Sequence, residues 1–295
     1  MDNEILTPSI PQVPQQPVAS FLPGPAVILK QAWSLYKQRF GTFLGITVIP
    51  MLVMTAFGLL SAAGGFLAVT KPGLGSFGLL LVLGVVLFIV ALVIFPWGLL
   101  ALLFAVKDST ENIGVGTAFR RAWGKIRSYY WITILMTLIL VGGLMLLIVP
   151  GIVFMIWFGF AMFVLVDEGL KGMDALLKSR EYVRGQWWGI FGRLLVMWLL
   201  AIVVAMIQAI ILKTVSSEAT KQLVQFLVSL FLTPFIISYT YILYQNLKTL
   251  KGGTVRVEAG SQKTIFILIG ILGLAAPIIL TFLLASSESS FFGLS

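Results

Sequence analysis

The chain has 295 residues, 59% hydrophobic and only 11% charged, and its 20 Lys and Arg outweigh 11 Asp and Glu to leave a net charge of +9. Soluble globular domains carry about 25% charged residues, so this composition, laid out as long uncharged runs, excludes a water-soluble fold. Having neither His nor Cys, the chain has no route to disulfides, thiolate chemistry, imidazole bases or most transition-metal sites, and most enzyme mechanisms go with them. A non-enzymatic protein with no catalytic residue, metal site or cofactor is expected.

Residues 1–24 carry Pro8, Pro11, Pro14 and Pro17 at a spacing of three with Gln among them. That composition favours extended polyproline II and cannot bury a core, so a disordered cytoplasmic tail is expected. It has no basic opening followed by an apolar run, and is not read as a signal peptide. A Pro-rich ligand for an aromatic-grooved partner is the alternative to a plain flexible extension.

Beyond the tail, gaps between successive charges measure candidate membrane spans, because a helix needs roughly 20 apolar residues to cross the hydrocarbon core. Six gaps qualify, running from Arg39 to Lys71, Lys71 to Lys107, Arg127 to Asp167, Arg193 to Lys213, Lys221 to Lys248 and Lys263 to Glu288. The third holds 39 uncharged residues, about 58 Å as one helix, which suits two crossings with Pro150-Gly151 as the turn. Seven spans follow, near 41–63, 77–106, 130–148, 151–166, 190–212, 222–246 and 264–285, with a short tail over 286–295.

Lys and Arg stay on the cytoplasmic side of multipass proteins. With the N-terminus inside, 17 of the 20 basic residues fall on that side, leaving Lys71, Lys213 and Lys221 outside. Counting the 39-residue run as one span would put the later basic loops on the wrong side. The expected setting is a plasma membrane, with a cytoplasmic N-terminus.

One pattern occurs three times along the chain. A basic amphipathic stretch precedes a membrane hairpin at Leu29 to Phe40, at Phe119 to Tyr130 and, more diverged, at Leu177 to Trp188. In the first, Leu29, Trp33, Tyr36 and Phe40 share a face while Lys30, Ser34, Lys37 and Gln38 share the other; Phe119, Trp123, Ile126 and Tyr130 repeat the apolar face. Helix-start signals precede each, Pro25 after Gly24, Thr117 after Gly116 and Asp174 after Gly172. Helices of this kind lie in the headgroup plane, and Trp33, Trp123, Trp131, Trp187 and Trp188 gather there as interfacial rings do. The expected architecture is an all-α polytopic bundle: a six-span domain over 25–263 built of three repeats (25–107, 116–167, 173–247), plus a seventh transmembrane helix at 264–285. Pro96, Pro150 and Pro234 are expected to start or kink the second span of each unit. Gly41 with Gly45, Ala101 with Ala105, and Ala201 with Ala205 and Ala209 offer close helix packing.

The run Pro150-Gly151 into an aromatic span, then Asp167-Glu168-Gly169, Ala175-Leu176, Ser179-Arg180 and Gly185-Gln186-Trp187-Trp188, resembles the membrane domain fused to some glycerophosphoryl diester phosphodiesterases, and the related YciC-like bacterial inner-membrane proteins. The likeness covers about residues 26–250 and implies a six-span bundle. The chain departs from it in lacking the phosphodiesterase catalytic domain, whose chemistry depends on His, and in adding the helix at 264–285.

The carboxylates Asp167, Glu168, Asp174 and Glu181 cluster on one loop region. A hard-cation site is one reading; the plainer one has Asp174 capping the third basic helix and Glu181 pairing with Arg184 or Lys178. No span is expected to carry an ionisable residue of the kind that couples transport to ions, and for Thr133, Thr137, Gln208, Ser229, Thr233 and Ser238 interhelical hydrogen bonding is as good an explanation as a transport pathway. The feature that rises above fold is the set of basic aromatic stretches, since each juxtamembrane cation gains roughly 1 kcal/mol from an anionic leaflet. The candidate lipid-binding residues are Lys30, Lys37, Arg39, Arg120, Arg121, Lys125, Arg127, Lys178, Arg180 and Arg184 with Trp33, Trp123, Trp187 and Trp188. The expected partners are anionic membrane lipids and not nucleic acid, in a role in membrane organisation or lipid homeostasis. The alternative is passive transport or lipid translocation along the axis between the hairpins.

Overall fold

The computed structural model describes residues 21–70, 74–109, 111–252 and 262–275. It is all-helical in these residues. Short helices alternate with long pairs: α1 (Pro25–Gln38), α2 (Phe40–Thr70), α3 (Leu74–Lys107), α4 (Val115–Trp123), α5 (Ile126–Leu146), α6 (Ile148–Phe158), α7 (Ala161–Asp167), α8 (Gly172–Val183), α9 (Trp187–Thr214) and α10 (Glu218–Leu250). A last helix, α11, covers Gln262–Ala275. Six helical stretches are long and apolar enough to cross a membrane, with α6 and α7 together making the fourth, Ile148–Asp167. The first part of the expected seventh span is thus helical, and residues 276–295 and 1–20 lie outside the described residues.

Contacts between distant residues show that the spans alternate in direction. Arg39 donates to the Ile113 carbonyl (2.5 Å), Lys107 to the Val166 carbonyl (3.2 Å), and Arg193 to the Pro23 carbonyl (2.8 Å), while Lys248 pairs with Asp167 (2.5 Å). The charged termini of all six spans therefore meet at one end of the bundle, the basic end. The core concentrates there too: Ile28, Phe43, Leu100, Ala105, Phe160, Val164, Tyr239 and Tyr244 are fully or almost fully buried. Away from it α3 and α9 expose Leu, Val and Ile all round, the pattern of a helix bathed in hydrocarbon.

The long 39-residue run does form two helical stretches of spanning length, but its turn comes earlier than Pro150-Gly151. The extended residue is Leu147, and Pro150 lies in the first turn of α6, where a missing N–H costs nothing. Pro96 and Pro234 are interior to α3 and α10, as is Pro50 to α2. A proline inside a helix strands the carbonyl four residues before it, and for Pro96 the Tyr130 hydroxyl donates to that carbonyl, Leu92. A second repair joins α6 to α7. At the break, the Ser179 hydroxyl accepts from the Phe160 N–H (3.1 Å) and donates to the Trp157 carbonyl (2.6 Å), satisfying groups that hydrocarbon would not.

The short helices also end earlier than the amphipathic pattern suggested. α4 stops at Trp123 and the chain re-enters helix at Ile126, so Arg127 and Tyr130 belong to the span. α8 stops at Val183, Gly185 turns with φ +79°, and Trp187 and Trp188 open α9. Only the first start signal falls where expected, with Gly24 flanking and Pro25 first in the helix; α4 starts at Val115, ahead of Thr117, and the Asp174 side chain makes no cap.

Of the small residues singled out by spacing, Gly45 packs closely, its Cβ position lying 3.0 Å from Val115 of α4. Ala101 and Ala105 are buried, but nothing lies within 4 Å of a Cβ on Gly41, and Ala205 and Ala209 are exposed. The tight crossing is between α5 and α11, where a Cβ on Gly142 would come within 2.6 Å of the Gly270 Cα. Gly142→Leu is expected to lever α11 off α5 at a cost of about 1–3 kcal/mol. Zero-length carbodiimide crosslinking of Lys263 to Asp174, which pair at 2.7 Å in the parent, should then be lost, with the six-span core intact.

Candidate functional site

The basic end is organised around two adjacent carboxylates. Asp167 ends α7 and Glu168 follows it, both mostly buried. Lys248 of α10 pairs with Asp167 at 2.5 Å, and Lys178 of α8 lies 3.8 Å from Glu168. The Tyr244 hydroxyl is shared between Asp167 (3.0 Å) and Glu168 (2.9 Å), and the Tyr182 hydroxyl donates to Glu168 (2.6 Å). Lys178 also stands over the Tyr182 ring at 5.2 Å. Burial first, then the bond to Glu168 and the two negative charges, push the Tyr182 phenol well above its ordinary range. The four loop carboxylates do not form one cluster: Asp174 pairs with Lys263 (2.7 Å), and Glu181 with Arg184 (3.6 Å) and Arg180 (3.7 Å). Among the described residues no group of three carboxylates is arranged to hold a metal.

This frame divides the cations picked out by sequence. Arg39, 6% exposed, reaches Asn112 and the Ile113 carbonyl, clamping the loop before α4. Lys178 is 7% exposed inside the bundle. Arg180 stacks over Trp157 at 4.8 Å and bonds Gln262 at 2.5 Å, tying α11 down. Arg121 pairs with Asp108 and with Glu111 (3.2 Å). Arg39, Lys178 and Arg180 hold the fold together, whereas Arg121 is exposed and pairs only with the loop just before α4. α8, expected to lie in the headgroup plane, is instead buried along Met173, Ala175, Leu176, Leu177, Ser179, Tyr182 and Val183.

Arg193 also falls within the expected fifth span, so that span does carry a charge. Its guanidinium binds the Leu22, Pro23 and Gly189 carbonyls, holding residues that composition had assigned to the free tail. Neither Arg193 nor Lys248 drew attention as a fixed partner, because their ligands are a backbone segment 170 residues away and a carboxylate 81 away.

The remaining cations stay at the surface. Lys30, Lys37, Arg120, Arg127 and Arg184 are exposed and Lys125 is half-buried. Of the tryptophans, Trp188 is exposed and Trp123 is exposed with its ring against Trp97 (5.2 Å), whereas Trp187 stacks on Phe191 (5.3 Å). On α1 the buried face is Ile28, Ala32 and Tyr36. Trp33 stands at its edge, half exposed, on the same side as Lys30 and Lys37.

Beside Trp33 opens a groove of about 610 Å³ between α1, the start of α2, α9 and α10, with no polar atom at its surface among the described residues. Trp33 and Tyr36 stack at its basic end (5.6 Å), and Phe235 meets Trp33 edge-on at 6.0 Å. From there it passes Phe40 stacked on Phe231 (5.8 Å) and ends at Leu227 and Val204. The eight residue steps from Phe235 to Leu227 span about 12 Å of helix. At the basic end Lys37 lies over the Trp33 ring, 5.8 Å from its centre. The Tyr36 hydroxyl is buried without a hydrogen-bond partner, and burial raises its pKa.

No family model matches this chain, and neither the curated proteins nor the solved structures give a match.

Two outcomes test the frame. Asp167→Asn alone leaves Lys248 without its counter-charge and is expected to cost on the order of 2 kcal/mol, below the roughly 3–5 of a fully buried pair. Asp167→Asn with Lys248→Met should recover most of that loss in a detergent unfolding assay. A phenol whose pKa rises on folding stabilises the fold below its unfolded value near 10, and this support is lost as pH climbs through the higher folded value. Stability should therefore fall above about pH 10, and Tyr182→Phe should flatten that part of the profile.

Proposed function

We propose that this protein is a non-enzymatic multipass membrane protein that holds an anionic lipid in the cytoplasmic leaflet, in a role in membrane organisation or lipid homeostasis. One observation carries the reading: an apolar, aromatic-walled groove running from the basic end toward the middle of the bundle, with Lys37 at its head. An acyl chain matches such a groove, and a phosphate matches the Lys30 and Lys37 side of α1, where a cation beside an anionic leaflet gains roughly 1 kcal/mol. Arg120, Lys125, Arg127 and Arg184 add to the positive rim. The basic end then faces the cytoplasm of a bacterial inner membrane with the N-terminus inside, as the positive-inside tendency favours.

Three units of short helix plus hairpin, α1 with α2 and α3, α4 with α5 to α7, and α8 with α9 and α10, support the reading of an internal repeat. The third copy has turned its short helix inward. The resemblance to the YciC-like membrane domain fits the six apolar spans. Passive transport along the axis between the hairpins is the weaker reading, because Phe43, Leu100, Phe160 and Tyr239 fill the bundle at the basic end.

Lys37→Glu and Trp33→Ala together are expected to reduce phosphatidylglycerol co-purified in mild detergent, read by native mass spectrometry, about fivefold or more, from the loss of roughly 1 kcal/mol of attraction and a cation–aromatic contact. Charge reversal at Arg121, which is held by Asp108 and Glu111, should change stability more than lipid content. Unchanged lipid in the first variant would remove the groove from the account.

A further inference from the structure

Gln222, Gln225, Ser229 and Thr233 follow one another along α10 at intervals of three, four and four, so they form a single stripe. With Thr55 and Phe95 they line a cavity of about 490 Å³ between α2, α3 and α10, a size typical of small-ligand sites. Polar residues on membrane helices ordinarily bond across to a neighbouring helix. These four make no side-chain hydrogen bond to other described residues. The Gln222 amide nitrogen instead lies over Gly58, 3.7 Å from where a Cβ on that glycine would sit.

The cavity belongs to the half of the bundle away from the basic end, and it is closed below. Its floor, Met51, Phe95 and Thr233, is shared with a smaller cavity of about 260 Å³ that reaches Pro50, Pro96 and Tyr129. Past these, Phe43 and Leu100 are fully buried. Among the described residues no ionisable side chain lines the cavity, and Lys221, next to Gln222, is neutralised by Glu218 at 2.6 Å. A charged ligand would find no counter-ion there, and at this depth that is costly. Two carboxamides and two hydroxyls offer both donors and acceptors, and the Phe95 and Phe226 rings add flat apolar walls.

We infer that this cavity binds a neutral, hydroxyl-rich group such as a sugar ring, reached from the end of the bundle opposite the basic helices. Amides meet the hydroxyls and the phenyl faces meet the C–H faces of the ring. The sugar can be free or the headgroup of a glycolipid. This site shares α2 and α10 with the lipid groove beside Trp33 but none of its described lining residues, so either can fail without the other.

The test uses the full chain in phosphatidylcholine nanodiscs prepared without glycoside detergents. Maltose, and separately dodecyl maltoside below its solubilising concentration, are titrated by calorimetry against protein-containing and empty discs. Saturable binding of at least one probe is expected, weakened about tenfold or more in Gln222→Leu/Gln225→Leu, as the loss of one or two hydrogen bonds implies. Gly58→Leu, which fills the cavity and keeps both amides, should weaken it as well. Binding of maltose supports a free sugar, and binding of dodecyl maltoside alone supports a lipid-linked one. No saturable binding of either probe, or equal affinity in both variants, overturns the inference.

Discussion

Two carboxylates held side by side at the end of a membrane span impose a condition that the rest of the basic end satisfies. Asp167 and Glu168 cannot remain ionised and mostly buried without nearby positive charge and hydrogen-bond donors. Lys248 and Tyr244 arrive from α10, and Lys178 and Tyr182 from α8. Meeting that need fixes where α7, α8 and α10 end relative to one another. It also explains why α8 is inside the protein: its lysine has a counter-ion there, and its apolar residues have a core.

The same economy governs the other cations. A guanidinium offers five donors in a rigid fork, and this chain uses that fork repeatedly on backbone carbonyls. Arg39 secures the loop before α4 and Arg193 the segment before α1, while Arg180 stacks on Trp157 to hold α11. Of the lysines and arginines left over at the basic end, Lys30, Lys37 and Arg120 are exposed on α1 and α4, Arg127 opens α5 and Arg184 follows α8. Net charge therefore overstates the surface offered to lipid, because much of it is internal scaffolding.

Packing along the bundle is uneven, and the prolines mark the change. At the basic end, aromatic and aliphatic side chains interlock around Phe160, Tyr239 and Tyr244. Near Pro50 and Pro96 small cavities begin, and beyond them α2, α3 and α10 separate enough to leave a polar-lined space. Helices of mixed Leu, Val and Ile tolerate this because lipid, unlike water, exacts no penalty from their exposed sides. Broken backbone is the exception, so Tyr130 and Ser179 are recruited to the stranded groups of α3 and of the α6–α7 junction.

What sequence alone determined was the helical, membrane-spanning character, the paired crossing between Arg127 and Asp167, and the gathering of basic residues at one end. These follow from composition and from the spacing of charges, which are local in the chain and set by the thickness of hydrocarbon. Tertiary structure alone decided which charges are used where. Arg39 and Lys178 lie in the same kind of basic aromatic stretch as Lys37, yet two are buried and one is exposed, because Arg39 finds its partner 73 residues off and Lys178 packs against Glu168 at the end of α7. The glycine crossing of α5 with α11, the groove beside Trp33 and the cavity along α10 are likewise spaces between helices. Periodicity describes one helix at a time, so it carries no information about the gap between two.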